Sequence, residues 1–143
     1  MFLNEPILKA DPVPDQWILV EPLVWVDKTY GRLEAPAGFR TDLASTPGHV
    51  DDNGPSRRPA VMHDALYNLG QRLGKDFADA FLRDAILAEG GGRMRAQLYY
   101  YGVHWFGGPS WRGAAREPGA QHFETAAAYL LWLNSDKTLR GYT

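Results

Sequence analysis

Met62, Leu66, Leu69 and Leu73 recur at steps of three and four, the spacing that puts apolar side chains along one face of a helix. That helix is predicted to begin near Ser56, with Pro59 in its first turn, where a missing N–H costs nothing. Gly74 closes it or the turn after it. A second helix is predicted from about Lys75 to Glu89, opened by Asp76 and Asp79, where the helix dipole favours carboxylates. A third follows from about Arg93 to Phe106, with Met94, Leu98, Tyr101 and Trp105 at helical spacing, and is expected to pack on the other two. Upstream, "QWILVEPLVWV" (16–26) is rich in strand-forming residues but interrupted by Pro22, which predicts an edge strand or two short strands. "KTYGRLEAPAGF" (28–39) reads as turn, strand and turn, and 40–56 as a polar, structured loop. The stretch from 107 to 123 reads as irregular, and 124–133 suits either a strand or a short helix. The fold class expected is α+β: a small antiparallel N-terminal sheet packed on a three-helix unit, with an irregular C-terminal segment, in a single domain 1–143.

The length of 143 residues is enough for one domain with a real core and too short for two comfortable ones. A formal net charge of −2 with scattered basic residues gives no basic stripe for a phosphate backbone, so a nucleic-acid partner is not expected. The absence of cysteine removes disulfides, thiolate nucleophiles and Cys-ligated zinc from consideration. The N-terminal "MFLNEPILKADPVP" has neither the basic region nor the apolar run of a signal peptide. "AAAYLLWL" at 126–133 is the longest apolar stretch and far short of a membrane span. A soluble protein without a transmembrane segment is the expectation.

Among polar residues, His63, Asp64 and Tyr67 lie on the first helix and Asp79 on the second. Antiparallel helices joined by a short turn pack about 8–10 Å apart, so Asp79 can reach His63. A carboxylate that holds one imidazole nitrogen leaves the other able to take a proton from water. Asp64 points roughly 100° further around the helix and suits a cation or the preceding loop instead. In "GFRTDLASTP" (38–47), Asp42 is a candidate ligand or orienter beside His63, while Ser45 lacks the surrounding motif of a serine nucleophile. The catalytic candidates are therefore His63, Asp79 and Asp42, and the metal candidates are Asp64 and Asp42. No cofactor is expected beyond a weakly held divalent cation. The same polar residues also suit a structural His–Asp pair. His49, Asp51 and Asp52 lack metal-ligand spacing and read as a solvated turn. His104 reads as a hydrogen-bonded core histidine in an aromatic helix, and Tyr99, Tyr100, Tyr101, Trp105, Phe106 and Trp111 as mostly core.

"APAGFRTDLASTP", "AVMHDALY" and "DFADAFLRDAI", in that order, resemble a family of small bacteriophage and prophage proteins, the domain of unknown function numbered thirteen-fifty-three. The resemblance covers about residues 16 to 111 and implies a phage origin, with no activity attached. A weaker, local resemblance is to the secreted phospholipases A2, whose catalytic helix carries His-Asp and then an aromatic residue. It implies that His63 activates water, Asp79 orients His63 and Asp64 helps hold a cation. The disulfides of those enzymes are absent, and "TDLASTP" stands where their glycine-rich calcium loop would be.

Three functions fit these residues. The first is a phage-encoded hydrolase, with His63 as general base, acting on an ester or similar bond of the host envelope. The second is a virion or tail-associated structural protein in which the polar cluster is architectural. The third is a small binder that disarms a host factor. The partners expected are phage structural proteins or a host envelope component, and the location is the host cytoplasm or the virion.

Overall fold

The computed structural model describes residues 1–14, 16–42, 54–116 and 119–135. Strands β1 (Leu8–Ala10), β2 (Trp17–Leu19), β3 (Leu23–Asp27), β4 (Gly31–Ala35) and β5 (Arg40–Thr41) precede helices α1 (Arg57–Leu69), α2 (Lys75–Ala88), α3 (Gly92–Phe106), α4 (Gly108–Arg116) and α5 (Ala126–Leu133). The strands form two antiparallel groups, β1-β2-β5 and the β3-β4 hairpin. The α+β class is as expected, with five α-helices among the described residues rather than three. Pro22 separates β2 from β3 and puts the two halves of the apolar run in different sheets, because a proline has no N–H to give a ladder.

Alternating residues of the hairpin, Leu23, Trp25, Leu33 and Ala35, are buried together with Leu19 and Phe39 against α1 and α2. The expected α1 stripe holds at Met62, Leu66 and Leu69; Leu73 is partly buried in a short 3-10 turn, Gln71–Leu73. Gly74 follows with φ +96°, a backbone conformation that favours glycine, and turns the chain back so that α2 runs antiparallel to α1. Phe81 of α2 stands edge-on to Phe2, Trp25 and Tyr30, closing the sheet onto the helices. Arg58 ties the start of α1 to Glu89 at the end of α2, Nε to Oε2 2.8 Å.

Three expectations about α3 and the chain after it change. Ala96, Tyr99 and Val103 form its buried face, against Leu82 and Ile86 of α2, while Met94, Leu98, Tyr101, Trp105 and Phe106 are exposed. His104 is likewise exposed, stacked on Tyr100 rather than buried. The helix carries apolar residues on both sides, and only the side facing α2 meets a partner. The segment read as irregular contains α4, with Pro109 in its first turn, and 126–133 is a helix, capped by Thr125 Oγ1 accepting from the Ala128 N–H at 3.1 Å.

Candidate functional site

His63 lies at the middle of α1, on the side facing α2, and both it and Asp79 are buried. His63 Nε2 is 3.0 Å from Asp79 Oδ1. The Tyr67 hydroxyl, one turn along α1, donates to the same Oδ1 at 2.6 Å. Lys75, one turn before Asp79, donates to Oδ2 at 2.6 Å and also to the Val103 carbonyl at 2.8 Å. A cation beside the last carbonyls of α3 also suits the negative end of that helix. Donors from α1 and α2 therefore converge on one carboxylate, and Lys75 links it to α3.

Burial alone would raise the pKa of Asp79, but donors from His63, Lys75 and Tyr67 outweigh it and hold the carboxyl below its usual range. Burial lowers His63, against the opposing pull of Asp79, so the ring is neutral at neutral pH. Burial raises the Tyr67 phenol, and its bond to Asp79 raises it further; Tyr67 stays protonated and donates. A neutral His63 gives its Nε2 proton to Asp79 and keeps the lone pair on Nδ1. Among the described residues Nδ1 makes no hydrogen bond. His63 lines a small cavity of about 60 Å³ with Tyr67, Gly102, Phe106 and Ser110.

Tyr67 and Ser110 also line a larger, polar cleft of about 640 Å³, with Arg40, Asp42, Asp64, Asn68 and His122 around it. Asp64 faces this cleft and not His63. Its carboxylate accepts from Asn68 Nδ2 at 2.8 Å and from the Asp42 N–H at 3.3 Å. Burial and the neighbouring Asp42 charge push Asp64 up to about 7, against the donors Thr41, Asp42 N–H and Asn68. Asp11 holds Arg40 at 3.0 Å, fixing β5 and with it the position of Asp42. The structure thus brings Asp42 to Asp64, while Asp79 is the carboxylate that orients His63.

Asp42 and Asp64 are the two carboxylates offered as cation ligands. Calcium takes six to eight oxygens, and among the described residues no group of three or more acidic or histidine side chains is placed to hold a metal ion. Burial and the Asp42 charge favour a proton on the Asp64 carboxyl, whereas its donors favour the charged form. Ser45, His49, Asp51 and Asp52 lie outside the described residues.

Lys75 was not among the candidates, although its four-residue spacing from Asp79 is a readable signal. His122 comes from a short 3-10 turn, Gly119–His122, far from the other residues in sequence, and no local pattern marks it.

These features describe an α+β protein with a buried His–Asp–Tyr–Lys network beside a polar cleft. The chain belongs to the family described as protein of unknown function (DUF1353), which matches residues 17–103. No curated protein and no solved structure matches the chain significantly. The matched span contains His63, Asp64, Tyr67, Lys75 and Asp79, whereas α4 and His122, which complete the cleft wall, fall beyond it. No helix among the described residues is long and apolar enough to cross a membrane.

Proposed function

We propose that the chain is a bacteriophage-encoded hydrolase in which His63 is the general base, acting on an ester or similar bond of the host envelope. One observation carries this reading: His63 is held through Nε2 by an ionised Asp79, makes no other hydrogen bond among the described residues, and lines a cavity large enough for water. In the reaction, Nδ1 takes a proton from water as the water oxygen attacks the ester carbonyl carbon. The imidazolium then returns that proton to the departing alkoxide. Asp79 stabilises the transient imidazolium, and Tyr67 and Lys75 position Asp79 without touching substrate. The test is hydrolysis of a panel of acyl esters and phospholipids by the purified protein. Activity in the parent that His63→Gln abolishes supports the reading; a parent without activity, or an active His63→Gln variant, overturns it.

The threefold bonding of Asp79 favours a second reading. Lys75 joins Asp79 to the end of α3, so the network cross-links α1, α2 and α3 whether or not it performs chemistry. On this reading the chain is a virion or tail-associated component, or a binder of a host factor, rigidified by a polar core. His63→Gln would then lower stability and biological function in parallel.

A further inference from the structure

The polar cleft and the small cavity at His63 share two wall residues. Tyr67 and Ser110 line both, so a carbonyl placed at their junction has one side towards His63 and the other in the cleft. The two spaces differ in size and character, and that difference decides which part of an ester each can hold.

The cavity, about 60 Å³, is walled by Val103, Phe106, Gly102 and Gly107 beside His63. One water needs ~10–15 Å³ of such space, which leaves room for a short apolar group such as a methyl and none for a long acyl chain. The cleft, about 640 Å³, has the volume of a small-molecule site, ~300–1,000 Å³. Gln16, Asn68, Ser110 and Gln121 give it neutral polar walls. Amides and hydroxyls both donate and accept, as the hydroxyls of a sugar do. Among the described residues the side chains of Gln16, Ser110 and Gln121 make no hydrogen bond. Asn68 gives its Nδ2 to Asp64 at 2.8 Å and keeps its amide oxygen as an acceptor.

The charges oppose an anionic occupant. Asp42 and Asp64 line the cleft, and Arg40, which lines it too, is taken up by Asp11 at 3.0 Å. A phosphate placed there would meet two acidic side chains with its own charge unmatched. A phospholipid therefore fails on both sides, in the length of its chains and in the charge of its headgroup.

We infer that the substrate is a sugar carrying a short ester, with an acetyl group in the small cavity and the sugar in the cleft against Gln16, Asn68, Ser110 and Gln121. This rests on His63 acting as the base. The water oxygen bonds to the acetyl carbon, and the bond from that carbon to the sugar oxygen breaks. The proton held by His63 passes to the sugar oxygen. The products are a free sugar hydroxyl and acetic acid, which releases its own proton to solvent.

The test measures kcat and KM of the intact protein on mono-O-acetylated glucose, N-acetylglucosamine and xylobiose. Alongside run p-nitrophenyl acetate, p-nitrophenyl palmitate and dioleoyl phosphatidylglycerol. At least one sugar ester is expected to exceed palmitate and phospholipid about a hundredfold or more in kcat/KM. Gly113, one turn from Ser110 on α4, lines the cleft, and a Cβ added there meets nothing within 4 Å. Gly113→Leu should therefore melt at the parent temperature or above it and fill part of the cleft. It should lower the kcat/KM ratio of sugar ester to p-nitrophenyl acetate about tenfold or more. Gln16→Ala combined with Gln121→Ala should raise KM for the sugar ester about fivefold or more, a larger effect than on kcat. Suppose p-nitrophenyl acetate is turned over and His63→Gln abolishes this. If no sugar ester then exceeds palmitate or phospholipid, or if Gly113→Leu leaves the ratio unmoved, the inference is overturned while His63 stays the base. A parent inactive on every ester overturns both.

Discussion

His63 and Asp79 are sixteen residues apart in the chain and 3.0 Å apart across the α1–α2 interface, both buried. A histidine in that setting is either a prepared base or a rigid strut, and the two roles separate under mutation. His63→Gln keeps a donor for Asp79. If His63 is the base, this variant should retain the parent melting temperature within about 1 kcal/mol of stability and lose about a hundredfold or more in ester turnover. His63→Ala should cost about 1–3 kcal/mol, a loss moderated because Tyr67 and Lys75 still hold Asp79. Parallel denaturation and turnover measurements on both variants check this.

Lys75 is the second point of stress. Replacing it with Met removes a positive charge from the buried Asp79 carboxylate and a donor from the end of α3. Breaking one side of such a pair should cost about 2–4 kcal/mol, measurable by urea titration, with hydrogen exchange accelerating first near Val103. A Lys75→Met variant as stable as the parent would mean that Asp79 is satisfied by His63 and Tyr67 alone.

Asp64 gives a pH signature with a definite sign. Its folded pKa of about 7 lies above the ordinary value of 3.8, so the folded state binds the proton more tightly than the unfolded state. That contribution is fully present below the ordinary pKa and is lost as pH rises towards 7. Asp64→Asn cannot ionise. Its stability relative to the parent should therefore grow by about 1–3 kcal/mol between pH ~4 and pH ~8, as read by melting at each pH. A parent and variant whose difference stays flat across that range would show that Asp64 does not titrate there.

Gly107 ends α3 where a side chain would strike the network. A Cβ added there would lie 2.6 Å from the Tyr67 hydroxyl and would also clash with the Val103 carbonyl oxygen. Gly107→Ala should therefore push Tyr67 away from Asp79 and destabilise by about 1–3 kcal/mol. Tyr67→Phe in the same background should recover part of that loss, because the clashing oxygen is gone.

Phe81 tests the junction between sheet and helices. It is fully buried and meets three aromatic rings edge-on. Phe81→Ala should cost about 3–5 kcal/mol in denaturant titration, a far larger loss than Leu98→Ala on the exposed side of α3 should produce.

The chain's local patterns determined a good part of this arrangement. Period and glycine punctuation placed α1 and α2 with their connecting turn, because a short antiparallel link leaves few ways for the two faces to meet. The same geometry put Asp79 within reach of His63, and the four-residue step put Tyr67 beside it. Pro22 marked the break between β2 and β3 through its missing N–H. Other features needed the tertiary structure. The apolar residues of α3 point several ways, and periodicity cannot say which direction finds α2, so Tyr99 and Val103 are buried while Trp105 and Phe106 are exposed. Helix α4 arises in a glycine- and proline-rich stretch with weak local preference, where Trp111 gains an edge-on contact with Tyr67. The pairing of Asp42 with Asp64 depends on β5 being anchored through Arg40 by Asp11, a contact between residues far apart in the chain. Spacing along one element is set by backbone geometry and can be read directly; which element lies opposite is set by what the whole chain can bury at once.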